Sequence, residues 1–270
     1  MLKHLVAAVQ MRTGADVEAN LLRARALAEQ AVERGAELVV LPEVFAWRGQ
    51  RADEPSATTP IPGRVSDFLR RLATDLAIVL VAGSFLERAP EGGKSYNTSL
   101  VLLPDGTIAA RYRKIHLFDV DLPGEVSVRE SETRAHGRDV VTTPTPLGTI
   151  GLSICYDLRF PELYRQLVAA GATILTVPSA FTFHTGAAHW EPLLRARAIE
   201  NQAYVIAPNQ AGKSPHGFPD YGNSMIIDPW GVVLARAPDG EQVILAELDP
   251  ERVARVRREM PCQLHAVLAR

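Results

Sequence analysis

Apolar positions along this chain follow two patterns, a helical period of about 3.6 residues and short continuous runs. From Val17 to Arg34 they recur at helical spacing (Val17, Leu21, Ala24, Ala28, Val32), with Asp16 placed as amino-terminal cap and Gly35 as stop. Residues 36–42 follow as a strand. Arg64 to Leu76 predicts a second amphipathic helix, Ile78 to Phe85 a strand, and Asn97 to Arg111 a hairpin turned by Pro104-Asp105-Gly106. The run Ile150 to Ile154 predicts a short interior strand, and Pro161-Glu162 the first turn of a helix, where proline loses no hydrogen bond and an acid complements the dipole. Pro178 to Trp190 opens a further helix that continues to Glu200. Asp121 to Val140 carries Gly, Glu and Ser without clear periodicity, which reads as a long loop of the kind that covers a site.

The pattern occurs twice. Gly35-Ala36-Glu37-Leu38-Val39-Val40-Leu41-Pro42-Glu43-Val44-Phe45 aligns with Gly171-Ala172-Thr173-Ile174-Leu175-Thr176-Val177-Pro178-Ser179-Ala180-Phe181, sharing Gly, Ala, Pro and Phe. Ser99, Pro104, Gly106, Ala110 and Arg111 likewise recur as Ser224, Pro229, Gly231, Ala235 and Arg236. Two matches in the same order point to an internal duplication. Two helix-on-sheet layers related by a pseudo-twofold pack sheet against sheet and leave helices outside, which gives an α/β fold, the four-layer α-β-β-α sandwich. In the repeat Glu43 aligns with Ser179, so one site per chain is expected.

Composition narrows the function class. The chain has 270 residues, 47% hydrophobic, and a net charge of −2. That is enough for one large core or two modest ones, without the signature of disorder or of nucleic-acid binding. Only two cysteines occur, and nothing at the amino terminus combines a basic region, an apolar core and a cleavage site, so a reducing cytoplasm is expected. No apolar run approaches the ~20 residues needed to cross a bilayer, so no membrane association is expected.

Three strand ends carry chemistry. Cys155 follows the run ending at Ile154, Glu43 follows Leu38 to Pro42, and Ala110 to His116 ends in a basic cluster containing Lys114. In open α/β sheets ligands bind at that edge. A lone cysteine after a strand is by itself more often a small buried hydrophobe than a catalyst. Yet a thiol attacking an amide needs a base, a donor for the developing oxyanion and an acid for the leaving nitrogen, and Glu43 and Lys114 can supply those functions. In Leu41-Pro42-Glu43, Arg113-Lys114-Ile115-His116 and Cys155-Tyr156-Asp157-Leu158-Arg159-Phe160-Pro161-Glu162 the chain resembles the nitrilase superfamily of carbon–nitrogen hydrolases, with their Glu-Lys-Cys triad. The likeness runs from Val6 to about Pro261. It implies a carbon–nitrogen hydrolase domain over 1–262, a carboxy-terminal tail over 263–270, and the four-layer fold.

The resemblance extends to further positions. Val128-Arg129-Glu130-Ser131 matches the family's second glutamate, which implies that Glu130 fixes the lysine and orients substrate. The segment from Pro178 to Trp190 is similar to the amidase branch that acts on deaminated glutathione and ω-amides, which implies that Arg159, Phe181 and Thr185 line the substrate pocket. Each has a plainer reading: Arg159 paired with Asp157 or Glu162, Phe181 in the core, Thr185 capping the helix. The expected reaction is hydrolysis of a small carboxylate-bearing ω-amide to acid and ammonia through a Cys155 thioester, with Lys114 and the Tyr156 backbone N–H holding the oxyanion. The resemblance also implies a homodimer.

Other chemistries are weaker. No cofactor or metal is expected, since His184 and His189 are five apart and lie on different helix faces, and Glu91-Gly92-Gly93-Lys94 precedes a strand and reads as a turn rather than a phosphate loop. A Cys-His hydrolase based on His116 or His189 leaves the strand-end Glu and Lys unused. A thiol peroxidase with Cys262 as partner, a nitrilase or N-carbamoyl amino acid hydrolase, and a non-catalytic binding module remain as alternatives. The chain departs from the family at Gly222-Asn223-Ser224, where relatives usually have Gly-His-Ser, and at the preceding Lys213 to Tyr221 loop, a candidate for the pocket rim. Its tail from Gln263 to Arg270 lacks the usual basic-aromatic ending.

Overall fold

A computed structural model describes residues 3–124, 126–214 and 217–267. Its two main sheets repeat one plan. In the first, His4–Gln10, Leu38–Val40 and Val79–Val81 run parallel, Gln242–Leu248 lies antiparallel to His4–Gln10, and Ser95–Leu102 lies antiparallel to Val79–Val81. In the second, Gly148–Leu152, Ile174–Thr176 and Tyr204–Ala207 run parallel between antiparallel Thr142–Thr145 on one side and Met225–Ile227 and Val233–Arg236 on the other. The strands that recur in sequence therefore hold matching places in the two sheets. The duplication is structural.

Alternation within strands builds the layers. Ala7, Val9, Val39, Leu41, Leu80 and Ala82 cluster with Leu21, Ala24, Leu27 and Ala28 of the helix Val17–Glu33, and with Leu69 and Leu72 of the helix Arg64–Leu76. Their neighbours Val6, Ala8, Leu38, Val40, Val79 and Val81 point the other way, into one core with Ile150, Leu152 and Ile174 of the second sheet. The helices Pro161–Ala169 and Phe183–Asn201 add to that core through Leu163, Leu167, Trp190 and Leu194. Strands buried on both faces read as unbroken apolar runs, as these do. The order helix, sheet, sheet, helix is the expected α-β-β-α sandwich. Among the described residues no helix is long and apolar enough to cross a membrane.

Several boundaries differ from the sequence reading. Within Asp121 to Val140 the expected loop is partly a hairpin, Asp119–Leu122 against Val126–Arg129, followed by a single turn at Glu130–Glu132 and the short strand Arg134–Ala135. Among the described residues its strands pair only with each other, and each spans four residues, too short for periodicity to register. The strand expected over 78–85 is broken at Gly83 into Val79–Val81 and Phe85–Glu87. Gly83 has φ +60°, and a Cβ there would lie 2.1 Å from the Pro42 carbonyl oxygen. Glycine lets this crossing press directly on the corner that carries Glu43. The helix over 183–201 is capped by Thr182, whose side chain accepts from the Thr185 N–H, so Thr185 is not itself the cap. Asp16 caps the first helix as expected. The 213–221 loop is flanked by paired strands Ala211–Lys213 and Pro219–Tyr221, and Pro215 lies outside the described residues, as do the last three residues of the tail.

Candidate active site

Two corners set the site. The chain leaves the strand Leu38–Val40 through Leu41-Pro42-Glu43, and Val44 then adopts φ +48°, its N–H donating to Ser84 Oγ at 2.9 Å. The chain leaves Gly148–Leu152 through Ser153-Ile154, and Cys155 also adopts φ +48°, its N–H donating to the Pro178 carbonyl at 2.9 Å. A left-handed backbone costs a residue with a Cβ of order 1–3 kcal/mol and persists only where surroundings impose it. Asp157 imposes it here. Its fully buried carboxylate accepts from the Ile154 N–H at 2.8 Å, the Tyr112 hydroxyl at 2.6 Å and the His116 N–H at 3.0 Å. This one carboxylate ties the Cys155 turn to the segment bearing Lys114.

Glu43, Lys114 and Glu130, all buried, form a continuous ion-pair chain. Lys114 Nζ donates to Glu43 Oε1 and to Glu130 Oε2, both at 2.9 Å. Two of its three N–H donors are thus spent on carboxylates, leaving one. Asn97 Nδ2 donates to Glu43 Oε1 at 2.9 Å and reaches Glu130 Oε1 at 3.4 Å, and the Ala180 N–H donates to Glu43 Oε2 at 2.8 Å. Glu130 also accepts from the Phe118 N–H at 2.7 Å and from Arg134 at 2.8 Å, and Arg134 passes on to Glu54 at 3.0 Å. With every oxygen of Glu130 occupied, this carboxylate holds its neighbours and has no free lone pair for a proton.

Charge follows from these contacts. Burial opposes the Lys114 charge, but Glu130 and Glu43 outweigh it and raise its pKa above the usual lysine value. Burial likewise opposes ionisation of Glu130, yet Lys114 and Arg134 hold its carboxyl well below the ordinary range. Cys155 goes the other way: burial first, then the Glu43 charge and a hydrogen bond to it, push the thiol up, against the pull of Lys114 and the Ala180 N–H. Local positive charge does not make a resting thiolate here, contrary to the simplest reading of a cysteine beside a lysine.

A cavity of about 360 Å³ opens on this cluster. Its wall includes Glu43, Lys114, Glu130, Cys155, Tyr156, Arg159, Phe181 and Thr185, so the structure brings every candidate residue of the sequence reading to one surface. Arg159 does not pair with Asp157 or Glu162, since Asp157 is saturated. Its guanidinium lies 5.3 Å from the Phe181 ring centre and 3.3 Å from His189 Nδ1, and among the described residues it has no carboxylate partner. Phe181 is both core and wall, packed on Trp190 at 5.0 Å. Phe218, in the 213–221 loop, forms part of the rim. His116 gives Nδ1 to Asp157 and its ring face to Phe160, and neither it nor His189 lines the cavity, which leaves the Cys-His alternative without a base. Among the described residues no group of three or more His, Cys, Asp or Glu side chains is placed to hold a metal ion.

Sequence reasoning missed Asn97, Arg134, Glu54 and the structural part of Asp157. The available signal was weak. Asn97 and Thr98 interrupt the strand Ser95–Leu102, where polar residues fit a pleated core poorly unless they have partners. Arg48 and Asp220, a buried ion pair joining the two halves beside the cavity, gave no local signal at all.

Comparison with known proteins extends over nearly the whole chain. The carbon–nitrogen hydrolase family profile matches residues 5–258. A deaminated glutathione amidase of Synechocystis sp. (strain PCC 6803 / GT-S) is 44% identical over 270 residues, covering 99% of both chains. The omega-amidase NIT2 of Homo sapiens is 38% identical over 256 residues, 95% of this chain and 92% of that protein. Among solved structures, the C. elegans NitFhit protein superposes with a TM-score of 0.91 at 39% identity, over 98% of this chain and 65% of that one. A Saccharomyces cerevisiae member of branch 10 of the nitrilase superfamily gives 0.88 at 37%, over 96% and 94%.

Proposed function

The chain belongs to the carbon–nitrogen hydrolase family, and from that premise we propose that it is an amidase that hydrolyses a small carboxylate-bearing ω-amide, of the deaminated glutathione or 2-oxoglutaramate type, to acid and ammonia or amine. The observation that carries this reading is the Arg159 guanidinium, without a carboxylate partner among the described residues, on the same cavity wall as Glu43, Lys114 and Cys155. A fixed cation beside the thiol selects an anionic substrate.

The mechanism follows from the charges. Cys155 rests as a thiol, so its proton must leave as the sulfur attacks, and Glu43, hydrogen-bonded to it, takes that proton. The S–C bond forms while the carbonyl π pair moves onto oxygen, where the remaining Lys114 N–H and the Tyr156 N–H stabilise it. Tyr156 lies at the start of the single turn Cys155–Arg159, where backbone donors lack intrahelical partners. As the carbonyl re-forms, the C–N bond breaks and the proton held by Glu43 passes to the nitrogen, which leaves as a neutral amine. Water then attacks the thioester with Glu43 again as base, and the proton returns to sulfur as the acid departs. Glu130 keeps Lys114 charged and aimed throughout. The reading is tested by an ammonia-release screen over α-keto ω-amides, uncharged amides, nitriles and N-carbamoyl amino acids. Preference for a nitrile or a carbamoyl substrate would replace it.

Arg159→Ala is expected to lower kcat/KM for ω-amides bearing a carboxylate by roughly 30-fold or more, since truncating one partner of a desolvated charge pair costs ~2–5 kcal/mol. Hydrolysis of an uncharged short amide should change little. Equal losses on both substrates assign Arg159 to structure instead.

We further place the protein in the cytoplasm as a homodimer. The dimer is supported by the exposed apolar side chains of Trp230, Val232 and Leu234, beside Ile199, which packs against Gly231. Sedimentation should give twice the 29.5 kDa chain mass, and Trp230→Arg should shift it toward the monomer. A monomer in the unaltered protein at micromolar concentration sinks the dimer.

A further inference from the structure

The strand Ser95–Leu102 meets the acids of the site with a row of polar side chains on one face. Successive residues of a strand point to opposite sides. Thr98 turns to Glu87 at 2.6 Å, whereas Ser95 reaches Glu54 at 3.3 Å and Asn97 reaches Glu43 Oε1 at 2.9 Å and Glu130 Oε1 at 3.4 Å. Ser99 is next on that face, and its buried Oγ has no hydrogen-bond partner among the described residues. Asn97 is fully buried, and its main chain is engaged as well, since the Lys114 N–H donates to its carbonyl at 2.9 Å. One residue holds the base by its side chain and the lysine by its backbone.

Only half of the Asn97 amide is used. Its Oδ1 has no hydrogen-bond partner among the described residues, and a buried carbonyl left unmet costs stability that a leucine of similar volume avoids. The orientation follows from the neighbours: with two carboxylates in front of it, only the NH₂ group can face them. A side chain kept for its donor alone has its role at the acceptor. Each carboxylate oxygen accepts two hydrogen bonds. Among the described residues Glu43 Oε1 takes Lys114 and Asn97, both at 2.9 Å, and is full, whereas Oε2 takes the Ala180 N–H at 2.8 Å and has one lone pair left.

We infer that Asn97 is a positioning residue, which fills the second lone pair of Glu43 Oε1 and so reserves Oε2 as the oxygen that takes the Cys155 proton. This rests on the reading of Glu43 as general base. In the attack the S–H bond breaks, its electron pair stays on sulfur and forms the S–C bond, and the proton moves to Oε2. When the C–N bond breaks, Oε2 gives that proton to the leaving nitrogen. Without the Asn97 donor both oxygens have an open lone pair, so the proton has two sites, one of them on the oxygen bound to Lys114. The Glu43 charge then also faces the sulfur with one donor fewer to offset it.

Asn97→Leu tests this, read by kcat and KM for 2-oxoglutaramate and by the pH midpoint for alkylation of Cys155 with iodoacetamide. Turnover is expected to fall roughly 10- to 100-fold, the scale of one hydrogen bond to a charged group, with KM nearly unchanged. The alkylation midpoint is expected to rise, because the Glu43 charge already raises it against the pull of Lys114. A merely structural role gives the opposite sign, since a loosened core admits water and relieves the burial that raises the thiol most. Asn97→Ala opens space for about one water, which can donate in place of the amide, so its kcat should lie between those of Asn97→Leu and the native chain. If Asn97 only fills volume, leucine serves better than alanine and the order reverses. Ser99→Ala, on the same face of the strand, should leave both kcat and midpoint unchanged. Native kcat in either Asn97 variant, a lowered midpoint in Asn97→Leu, the reversed order, or an equal loss in Ser99→Ala each overturns the role of Asn97 and leaves the ω-amidase reading standing. A native chain that does not hydrolyse 2-oxoglutaramate overturns that reading instead, and the alkylation midpoints still decide for or against Asn97.

Discussion

Cys155→Ala is expected to reduce ω-amide hydrolysis roughly 10⁴-fold or more, because removing a nucleophile leaves only what binding and oxyanion contacts supply. The protein should remain folded. Cys155 holds its left-handed backbone through contacts of its own N–H and of Asp157 rather than through its sulfur, and alanine tolerates that conformation no worse. Loss of one sulfur from a buried site should cost ~1 kcal/mol, which is roughly 2–4 °C in Tm for a chain of this length. Intact-mass measurement under turnover should detect an acyl adduct on the native protein and none on the variant. Cys262, exposed at the start of the short helix Cys262–His265, provides the control, and Cys262→Ser should be nearly silent. Undiminished hydrolysis by Cys155→Ala removes the thioester mechanism, and a large loss in Cys262→Ser brings the redox alternative back.

The residues legible in the sequence are those whose position is set by one strand. Glu43, Lys114 and Cys155 each lie just past the end of a strand that its own run of residues marks, and the repeat of Gly35 to Phe45 in Gly171 to Phe181 carries the two-sheet architecture in the sequence itself. What stayed hidden depends on contacts between distant segments. Asp157 stood in plain view beside Cys155, yet its partners Tyr112 and His116 come from the other half of the chain. Arg134 and Glu54 are 80 residues apart and meet only because the hairpin folds back over the first sheet. Such partners leave no periodic trace, because each is a single residue answering a buried charge. The strands expected over 36–42 and 78–85 are longer than those observed, because Leu41 and Ala82 stay buried in the core after the chain leaves the sheet. Burial and strand pairing are different constraints, and hydropathy reports the first.

That distinction bears on how the thiol is activated. A lysine charge beside a thiol lowers its pKa, but burial together with the Glu43 carboxylate outweighs Lys114 here and keeps this one protonated. Lys114 cannot change that while both its carboxylates are present, since its charge is already matched by Glu43 and Glu130. The proton therefore has one acceptor in contact with the sulfur. In the proposed mechanism, activation is therefore coupled to attack.

Glu43→Gln separates this arrangement from a resting ion pair, because two measurements should move in opposite directions. Turnover should fall by roughly 10²–10⁴, the range for loss of a general base. Part of that loss is geometric, since an amide cannot accept at both Oε1 and Oε2, and the Ala180 N–H then faces an NH₂ group or the Lys114 and Asn97 donors do. The thiol should meanwhile become easier to ionise. Burial is the largest cause of its raised pKa and stays, but the Glu43 charge and hydrogen bond, which also raise it, are gone, and Lys114, which lowers it, loses one of its two counter-charges. The pH midpoint for alkylation of Cys155 by iodoacetamide should therefore shift downward in Glu43→Gln, with faster labelling at any fixed pH below the native midpoint. Slower labelling together with lost turnover would mean that Glu43 sustains a pre-formed thiolate. Retained turnover would mean that it is not the base, and Lys114→Ala, expected to lose at least as much activity through the oxyanion, would then be the variant that locates the essential charge.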